Sequence, residues 1–279
     1  MNVNELNRCQ PLLGTFVELR LSGDHSEQAL IKISECVFRE VKRIHDLMSF
    51  HDHTSELSYI NKNAYIKSCR LSKDMHKVLE LALTMSRQSG GVFDISIAPE
   101  LIDKGLLPAI HSTDQCQGDW RDIVIQDQSV RFQKKLLIDL GGIAKGYAAD
   151  CGMAMVPEGV NAVINAGGDL VMRHWQGESI HIQDPEQRHC VKHVDMKAPA
   201  LATSTLKNNL QRDIIAKQEC TTTERPLSVS VFAHKCVLAD ALTKIMLLDI
   251  NNTNALKSFS ASALYVDANG AMHHIDGAA

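Results

Sequence analysis

The sequence has no long hydrophobic run, and no stretch approaches the roughly 20 apolar residues that a membrane-spanning helix needs. The start of the chain shows no basic segment followed by an apolar one, so we see no signal peptide and expect a cytoplasmic protein. Basic residues are scattered along the chain, and the formal net charge is −4. This charge balance excludes the basic surface typical of nucleic-acid-binding proteins.

Motifs of zinc sites and of redox-active thiol pairs are also missing. None of the eight cysteines forms a C-x-x-C pair, and no set of cysteines and histidines has zinc-site spacing. Cys36, Cys151 and Cys236 lie inside apolar patterns. That placement favours buried, reduced thiols over disulfides, in agreement with a reducing compartment.

What the chain does contain is a succession of helical and strand patterns. Apolar residues at helical spacing predict helices over Leu30–Leu47, Met75–Ser86 and Cys236–Leu248. Alternating or short apolar segments predict strands at Leu12–Leu21, Asp122–Gln126, Ser129–Gln133, Leu136–Leu140, Val163–Ile164, Ile180–Ile182, His189–Val194, Ala200–Thr203, Leu227–Phe232, Ala263–Val266 and Met272–Ile275. Runs of helices and strands without regular βαβ alternation indicate the α+β class. Because no linker or charge block interrupts them, we predict a single domain over residues 1–279.

The stretch Leu136–Asp150 is the most informative part of the sequence. A predicted buried strand ends at Asp139, the glycine pair Gly141-Gly142 follows, and a helix then opens with Lys145 in its first turn. Glycines before a helix start allow backbone N–H groups to approach an anion, so the stretch suits a phosphate-bearing ligand with a metal or ribose nearby. It matches neither the G-x-x-x-x-G-K-[ST] loop nor G-x-G-x-x-G. A tight strand-to-helix turn with surface charges explains the same pattern equally well.

Two further glycine pairs stand next to acidic residues. After the pair at positions 90 and 91 come Phe93 and Asp94, which suit either a planar ligand or a core phenylalanine beside a capping aspartate. The pair at positions 167 and 168 precedes Asp169. Each pair follows a predicted helix or strand, so the glycines also serve as ordinary stops and turns.

Seven motifs in one order resemble those of the ApbE family, the FAD:protein FMN transferases. They are Leu12–Thr15 (LLGT), Leu47–Asn61 (LMSFHDHTSELSYIN), Ser89–Leu101 (SGGVFDISIAPEL), Ile138–Asp150 (IDLGGIAKGYAAD), Asn165–Leu170 (NAGGDL), Leu201–Ser204 (LATS) and Ser228–Lys244 (SVSVFAHKCVLADALTK). The resemblance covers nearly the whole chain. It implies an ApbE-like, T-fold-like architecture of two related α+β halves that share a flavin site. Because members of this family are often exported, it also allows a periplasmic location if a leader has been removed.

The resemblance implies a reaction and a set of ligand-binding positions. The FMN part of FAD is moved to a threonine or serine hydroxyl of an acceptor flavoprotein, AMP is released, and Mg²⁺ assists. The positions that match the family's FAD-binding motifs are Leu13, Phe50, Val92, Phe93, Asp94, Asp139 and Lys145. The two phenylalanines suit packing on the flavin or adenine rings, and Lys145 suits a phosphate or the flavin edge.

The implied metal site departs from the family pattern at one position. Mg²⁺ is expected at the Gly142 carbonyl and at Asp240 and Thr243, and Lys244 stands where the family usually has a threonine. Asp240 and Lys244 are four residues apart on a predicted helix, so they form an ion pair on one interpretation. On the other, the ammonium of Lys244 replaces one metal charge beside the diphosphate.

A second departure affects the predicted catalytic residue. The family carries H-x-x-D-P-x-T-G before the strand that corresponds to Ser228–Phe232, and residues Asp213–Cys220 (DIIAKQEC) stand there instead. Asp213 is the candidate base for the acceptor hydroxyl, with a solvated loop aspartate as its alternative. Ile215 is the candidate apolar wall of the flavin site. The replacement leaves two other functions open, namely an FAD-binding protein without transferase activity and an FAD pyrophosphatase that yields FMN and AMP.

Overall fold

The computed structural model describes residues 3–109, 112–183, 191–205 and 226–277. Its α-helices are α1 (Glu27–Met48), α2 (Glu56–Asn63), α3 (Lys73–Gln88), α4 (Ala98–Asp103), α5 (Ala144–Ala154), α6 (Cys236–Leu248) and α7 (Thr253–Ser258). Its strands are β1 (Asn4–Leu12), β2 (Thr15–Gly23), β3 (Cys69–Arg70), β4 (Ile123–Gln126), β5 (Ser129–Phe132), β6 (Asn161–Ala166), β7 (Asp169–Met172), β8 (Ser179–Gln183), β9 (Val191–Asp195), β10 (Ala200–Thr205), β11 (Ser228–Ala233), β12 (Ser262–Val266) and β13 (Met272–Ile275).

One large sheet organises these elements, with the strand order β1-β2-β6-β7-β10-β11-β12-β13. Two smaller sheets have the orders β3-β5-β4 and β8-β9, and every strand pair of the described residues is antiparallel. Helices packed on antiparallel sheets confirm the predicted α+β class. None of the helices in these residue ranges has the length and apolar character needed to cross a membrane.

Helices α1, α5 and α6 cover one face of the large sheet and enclose the main core. In α1, the buried Leu30, Val37, Val41 and Ile44 recur at helical spacing, as the sequence predicted. Ser26 caps this helix by accepting a hydrogen bond from the Ala29 N–H at 3.3 Å. The side chains of β11 are all buried because α6 packs on one face of the sheet and the β8–β9 hairpin lies toward the other.

The predicted strand at Leu136–Leu140 is wrong, although Leu136, Leu137 and Ile138 are buried as expected. Among the residues that the structure describes, no strand pairs with this segment, and the side chain of Asn61 takes the partner's place. The Asn61 amide donates to the Ile138 carbonyl at 2.9 Å and accepts from the Ile138 N–H at 2.8 Å. The Asp139 N–H donates to the Ile95 carbonyl at 2.8 Å. A side chain therefore satisfies backbone groups that a ladder would otherwise pair.

Several elements had no prediction, among them β3 and β7, and three others show why the sequence signal is weak. Strand β1 pairs with β2 at the sheet edge and is mostly exposed, so it lacks clear apolar alternation. Helices α4 and α7 have six residues each, which is too short for a helical period to emerge. The predicted β12–β13 hairpin and the helix Cys236–Leu248 agree with the structure.

We predict that Asn61→Ala destabilises the fold because it leaves two buried backbone groups of Ile138 without a partner. The free energy of unfolding in urea should fall by about 2–4 kcal/mol. Asn63→Ala is the matched control, since Asn63 lies two residues away and only donates to the Tyr59 carbonyl of its own helix. Equal losses in the two variants would contradict this account of the Leu136–Ile138 segment.

Candidate functional site

The site forms where α5 and α6 approach each other closely. Gly146 makes this contact possible, because a Cβ atom at that position would lie 2.8 Å from the Val237 Cα and closer still to the Cys236 carbonyl oxygen. Asp150, one turn further along α5, accepts hydrogen bonds from the Cys236 and Val237 N–H groups at 2.9 and 3.0 Å. The first turn of α6 is thus capped by a side chain of α5.

Asp240 on α6 connects the two helices at the centre of the site. Its side chain is fully buried, and its Oδ2 accepts a hydrogen bond from the Gly146 N–H at 3.0 Å. Its Oδ1 forms an ion pair with the Lys244 ammonium, and the Lys145 Nζ lies 3.8 Å away. The buried carboxylate is therefore held by the start of one helix and by two cations.

A second buried carboxylate comes from the turn between β6 and β7. Asp169 follows Gly167 and Gly168, whose φ angles of 66° and 103° form that turn, and its side chain is 1% exposed. The Lys145 Nζ forms an ion pair with Asp169 Oδ2. Asp169 Oδ1 is buried and has no hydrogen-bond partner among the residues that the structure describes. Lys145 thus bridges two carboxylates from different elements.

Electrostatics fix the charge state of this cluster. Burial disfavours the charged form of Lys145, but the Asp240 and Asp169 carboxylates outweigh it and raise the pKa of the ammonium. Burial likewise opposes ionisation of Asp240, yet Lys145 and Lys244 hold its pKa below the ordinary value. Burial, together with the neighbouring charge of Asp240, raises the pKa of Asp169. Lys145 is therefore a permanent cation at neutral pH.

Two adjoining cavities open at this cluster, and Asp139, Gly141 and Lys145 line both of them. The first has a volume of about 530 Å³, and its other lining residues include Phe93, Gly142, Ser204 and Lys244. The second has a volume of about 490 Å³ and is lined by Leu13, Phe50 and Ala144, among others. Two apolar cavities with a cationic junction suit a ligand that has a ring system at each end and an anionic centre.

The seven predicted ligand-binding residues that lie within the described ranges all line these cavities. Val92, Phe93 and Asp94 line the first, Leu13 and Phe50 line the second, and Asp139 and Lys145 line both. Leu13 has a φ of 58° and sits with Gly14 in the β1–β2 turn, where a residue without glycine's freedom is strained. Phe50 and Phe93 are buried, so each also belongs to the core.

The two acidic residues of this set also have local structural roles. Asp94 caps the short 3-10 helix Ile95–Ile97 by accepting from the Ser96 N–H at 2.8 Å, which agrees with the capping interpretation of the sequence. Asp139 Oδ2 accepts from the Gly141 N–H at 2.9 Å. Burial raises the pKa of Asp139 above its ordinary value. Asp139 thereby shapes the glycine turn at the junction of the two cavities.

Comparison with known proteins decides the family. The model of the ApbE family matches residues 13–262, which is most of the chain. The chain belongs to the ApbE family. No curated protein matches it significantly.

Solved structures agree with the fold of this family. The chain is similar to the ApbE protein of Thermotoga maritima, with a TM-score of 0.83, 22% identity, and coverage of 97% of this chain and 96% of that one. The flavin transferase ApbE of Vibrio cholerae has a TM-score of 0.77 at 19% identity, covering 99% and 97%. The flavinyl transferase ApbE of Pseudomonas stutzeri, in its apo form, has a TM-score of 0.79 at 17% identity, covering 99% and 95%.

The ApbE resemblance implies an Mg²⁺ site at Gly142, Asp240 and Thr243, with Lys244 beside them. Gly142 and Lys244 line the first cavity, and Asp240 and Thr243 are buried directly behind it. The Lys244 ammonium contacts Asp240 Oδ1 and lies 3.2 Å from Thr243 Oγ1. No group of three or more histidine, cysteine or acidic residues with metal-site geometry occurs in the described ranges. As they stand, these residues do not fit an octahedral Mg²⁺ ion, because a cation of the chain already faces its two side-chain ligands.

Sequence reasoning missed part of the site. Asp169 was visible as an acid after a glycine pair, the same pattern that singled out Asp94, but its ion pair with Lys145 joins positions 24 residues apart. Ser204 was visible in the LATS motif, and its hydroxyl lies 2.8 Å from Thr243 Oγ1. Leu107 lines both cavities and carried no sequence signal. The predicted base Asp213 and the predicted apolar wall Ile215 lie outside the described residues.

We predict that Gly146→Ala separates α5 from α6, because its Cβ would overlap backbone atoms of α6. The free energy of unfolding should fall by about 1–3 kcal/mol, as for an overpacked core. Gly142→Ala is the matched control: a Cβ there meets nothing nearer than the Phe93 ring at 3.5 Å. A Gly146→Ala protein as stable as Gly142→Ala in urea would contradict the close approach.

We also predict a pH dependence from Asp150, because burial raises its pKa from 3.8 to about 6. Between these values the folded state binds more protons than the unfolded state, so the contribution of Asp150 to stability falls as the pH rises through this window. The stability of the wild type relative to Asp150→Asn should therefore decrease between pH 4 and 7, by up to about 3 kcal/mol. Urea unfolding of both proteins across this range measures the difference, and a difference that does not change with pH would contradict the raised pKa.

Proposed function

We propose that this protein is an FAD:protein FMN transferase, which moves FMN from FAD to a threonine or serine hydroxyl of an acceptor flavoprotein and releases AMP. The observation that carries the proposal is the position of two lysines at two adjoining cavities: Lys145 lines both cavities, and Lys244 lines the first. FAD has two ring systems joined through a diphosphate. Its shape and charge therefore match the two cavities, the shared cation Lys145 and the second cation Lys244 in the first cavity.

The two ammonium groups of the cluster are more exposed to the first cavity than its two carboxylates. Asp169 and Asp240 are 1% and 0% exposed, whereas Lys145 and Lys244 are 29% and 16% exposed and line the first cavity. Within this cluster the ammonium groups therefore face the first cavity and the carboxylates of Asp169 and Asp240 lie behind them. Asp94 and Asp139 also line that cavity, where each accepts a backbone N–H. The start of α5 adds the positive end of a helix dipole at Gly142 and Ala144. This arrangement favours a diphosphate over a neutral or cationic ligand.

The chemistry required of the site is a phosphoryl transfer. The acceptor oxygen attacks the phosphorus of the FMN phosphate, the bond from this phosphorus to the bridging oxygen breaks, and AMP leaves with that oxygen. Lys145 and Lys244 are placed to stabilise the negative charge that builds on the diphosphate. The hydroxyl proton goes to a base, and Asp213 remains the predicted one. The family resemblance implies Mg²⁺, which the residues present do not fit, and no step here depends on it.

Membership of the ApbE family supports the same reaction class. Two structures of the same fold are described as flavin transferases, one from Vibrio cholerae and one from Pseudomonas stutzeri. The ligand-binding positions inferred from the family motifs converge on one pair of cavities in this chain. This convergence supports FAD as the substrate more strongly than any single motif does.

The direct test incubates the purified protein with FAD and threonine-containing peptides, then measures AMP and the mass of each peptide. We expect AMP release together with a peptide that carries one FMN. Lys145→Met should lower the rate about a hundredfold, because it removes a charge that stabilises the transition state. Lys62→Met is the matched control, since Lys62 is exposed on α2 and lies outside both cavities. Circular dichroism checks that each variant is folded.

The products separate the alternative functions. AMP and free FMN without a modified peptide identify an FAD pyrophosphatase. Retention of FAD without AMP release identifies a flavin-binding protein that has no transferase activity. A protein that neither retains FAD nor releases AMP would contradict the proposal altogether.

A further inference from the structure

We propose that the Lys244 ammonium is the resident cation of this site, in the place that a divalent cation would occupy between Asp240 and Thr243. The inference rests on the proposed function in one respect, that the ligand of the first cavity carries a diphosphate. The site then needs no metal ion to balance its buried carboxylates or to face the ligand's charge.

The position of the ammonium is the first support. Its Nζ contacts Asp240 Oδ1 and lies 3.2 Å from Thr243 Oγ1, and these two side chains are the oxygen ligands that α6 offers to a cation. The stem of the same side chain passes Gly142, where a Cβ atom would lie 3.7 Å from the Lys244 Cγ. The Lys244 ammonium thus contacts two of the residues that the family resemblance assigns to a metal, Asp240 and Thr243, and its stem passes the third, Gly142.

The other Asp240 oxygen and the Thr243 hydroxyl also have hydrogen-bond partners. Asp240 Oδ2 accepts from the Gly146 N–H at 3.0 Å. The Thr243 hydroxyl donates to the Asp240 carbonyl at 2.7 Å and lies 2.8 Å from Ser204 Oγ. Magnesium requires about six oxygen ligands at close to 2.1 Å in an octahedron. An incoming ion would have to displace the ammonium and break this hydrogen-bond network.

The charge balance of the cluster also supports Lys244 as the cation of the site. The cluster contains two buried carboxylates, Asp169 and Asp240, and two ammonium groups, Lys145 and Lys244. A buried charge is stable only when it is paired, and here each carboxylate has a cation of the chain beside it. A divalent ion would add two positive charges next to the Lys244 ammonium, which disfavours its binding.

The first experiment measures metal uptake directly, with Mn²⁺ as a probe because carboxylate and carbonyl oxygens bind it as they bind Mg²⁺. Free Mn²⁺ is followed by electron paramagnetic resonance without pyrophosphate, which would itself chelate the ion. We expect the wild type to take up no Mn²⁺ under conditions where Lys244→Thr takes up one equivalent, and Asp240→Asn in the Lys244→Thr background to abolish that uptake. Lys257→Thr, an exposed lysine on α7, is the matched control and should behave as the wild type.

The second experiment measures pyrophosphate affinity by calorimetry in the presence of EDTA. The wild type, Lys257→Thr and Lys244→Arg should bind with similar affinity, because all three keep the cation of the site. Lys244→Thr should bind about tenfold more weakly, since one charge-assisted contact is lost. Circular dichroism confirms that each variant is folded.

Two results would overturn the inference. One is stoichiometric Mn²⁺ uptake by the wild type that Asp240→Asn abolishes. The other is pyrophosphate binding in EDTA that is as tight for Lys244→Thr as for the wild type. Neither result depends on FMN transfer. The experiments can therefore disprove FMN transfer without disproving the role of Lys244, and they can disprove the role of Lys244 without disproving FMN transfer.

Discussion

The buried carboxylate of Asp240 is the interaction on which the rest of the site depends. It receives the Gly146 N–H at the start of α5, it pairs with Lys244 on its own helix, and it lies near Lys145. A carboxylate with no exposed surface is stable only if hydrogen bonds and opposite charges replace its water. The sequence meets this requirement with a backbone donor and two ammonium groups.

This requirement explains why helices and turns distant in sequence are locked together. Gly146 allows the close approach of the two helices, and Asp150 caps α6 from α5. Asp169 reaches the same cluster from the β6–β7 turn through Lys145. The structural core and the candidate site are therefore built from the same contacts, and a ligand of the cavities meets side chains that are already fixed in place.

Local patterns predicted much of the fold but none of its long-range polar contacts. Helix α6 was predicted with its observed bounds because apolar residues predominate from Cys236 to Leu248. The segment Leu136–Ile138 was buried as predicted but is not a strand, since Asn61, 77 residues away, provides its hydrogen bonds. The spacing of apolar residues along the chain carries no information about such a contact.

For the same reason the sequence singled out Lys145 and Asp240 separately but gave no sign that Asp169 joins them. Family motifs brought the ligand-binding positions together, and the geometry then showed that they line two cavities with a common junction.

The central claim is that the diphosphate of FAD lies at the junction of these cavities, against cations supplied by the chain. The most direct measurement is a crystal structure of the protein with FAD, grown with Mg²⁺ present. The account predicts phosphate oxygens within hydrogen-bond distance of both Lys145 and Lys244, with one ring system of FAD in each cavity. A diphosphate bound elsewhere, or a Lys244 side chain displaced by a metal ion on Asp240, would contradict it.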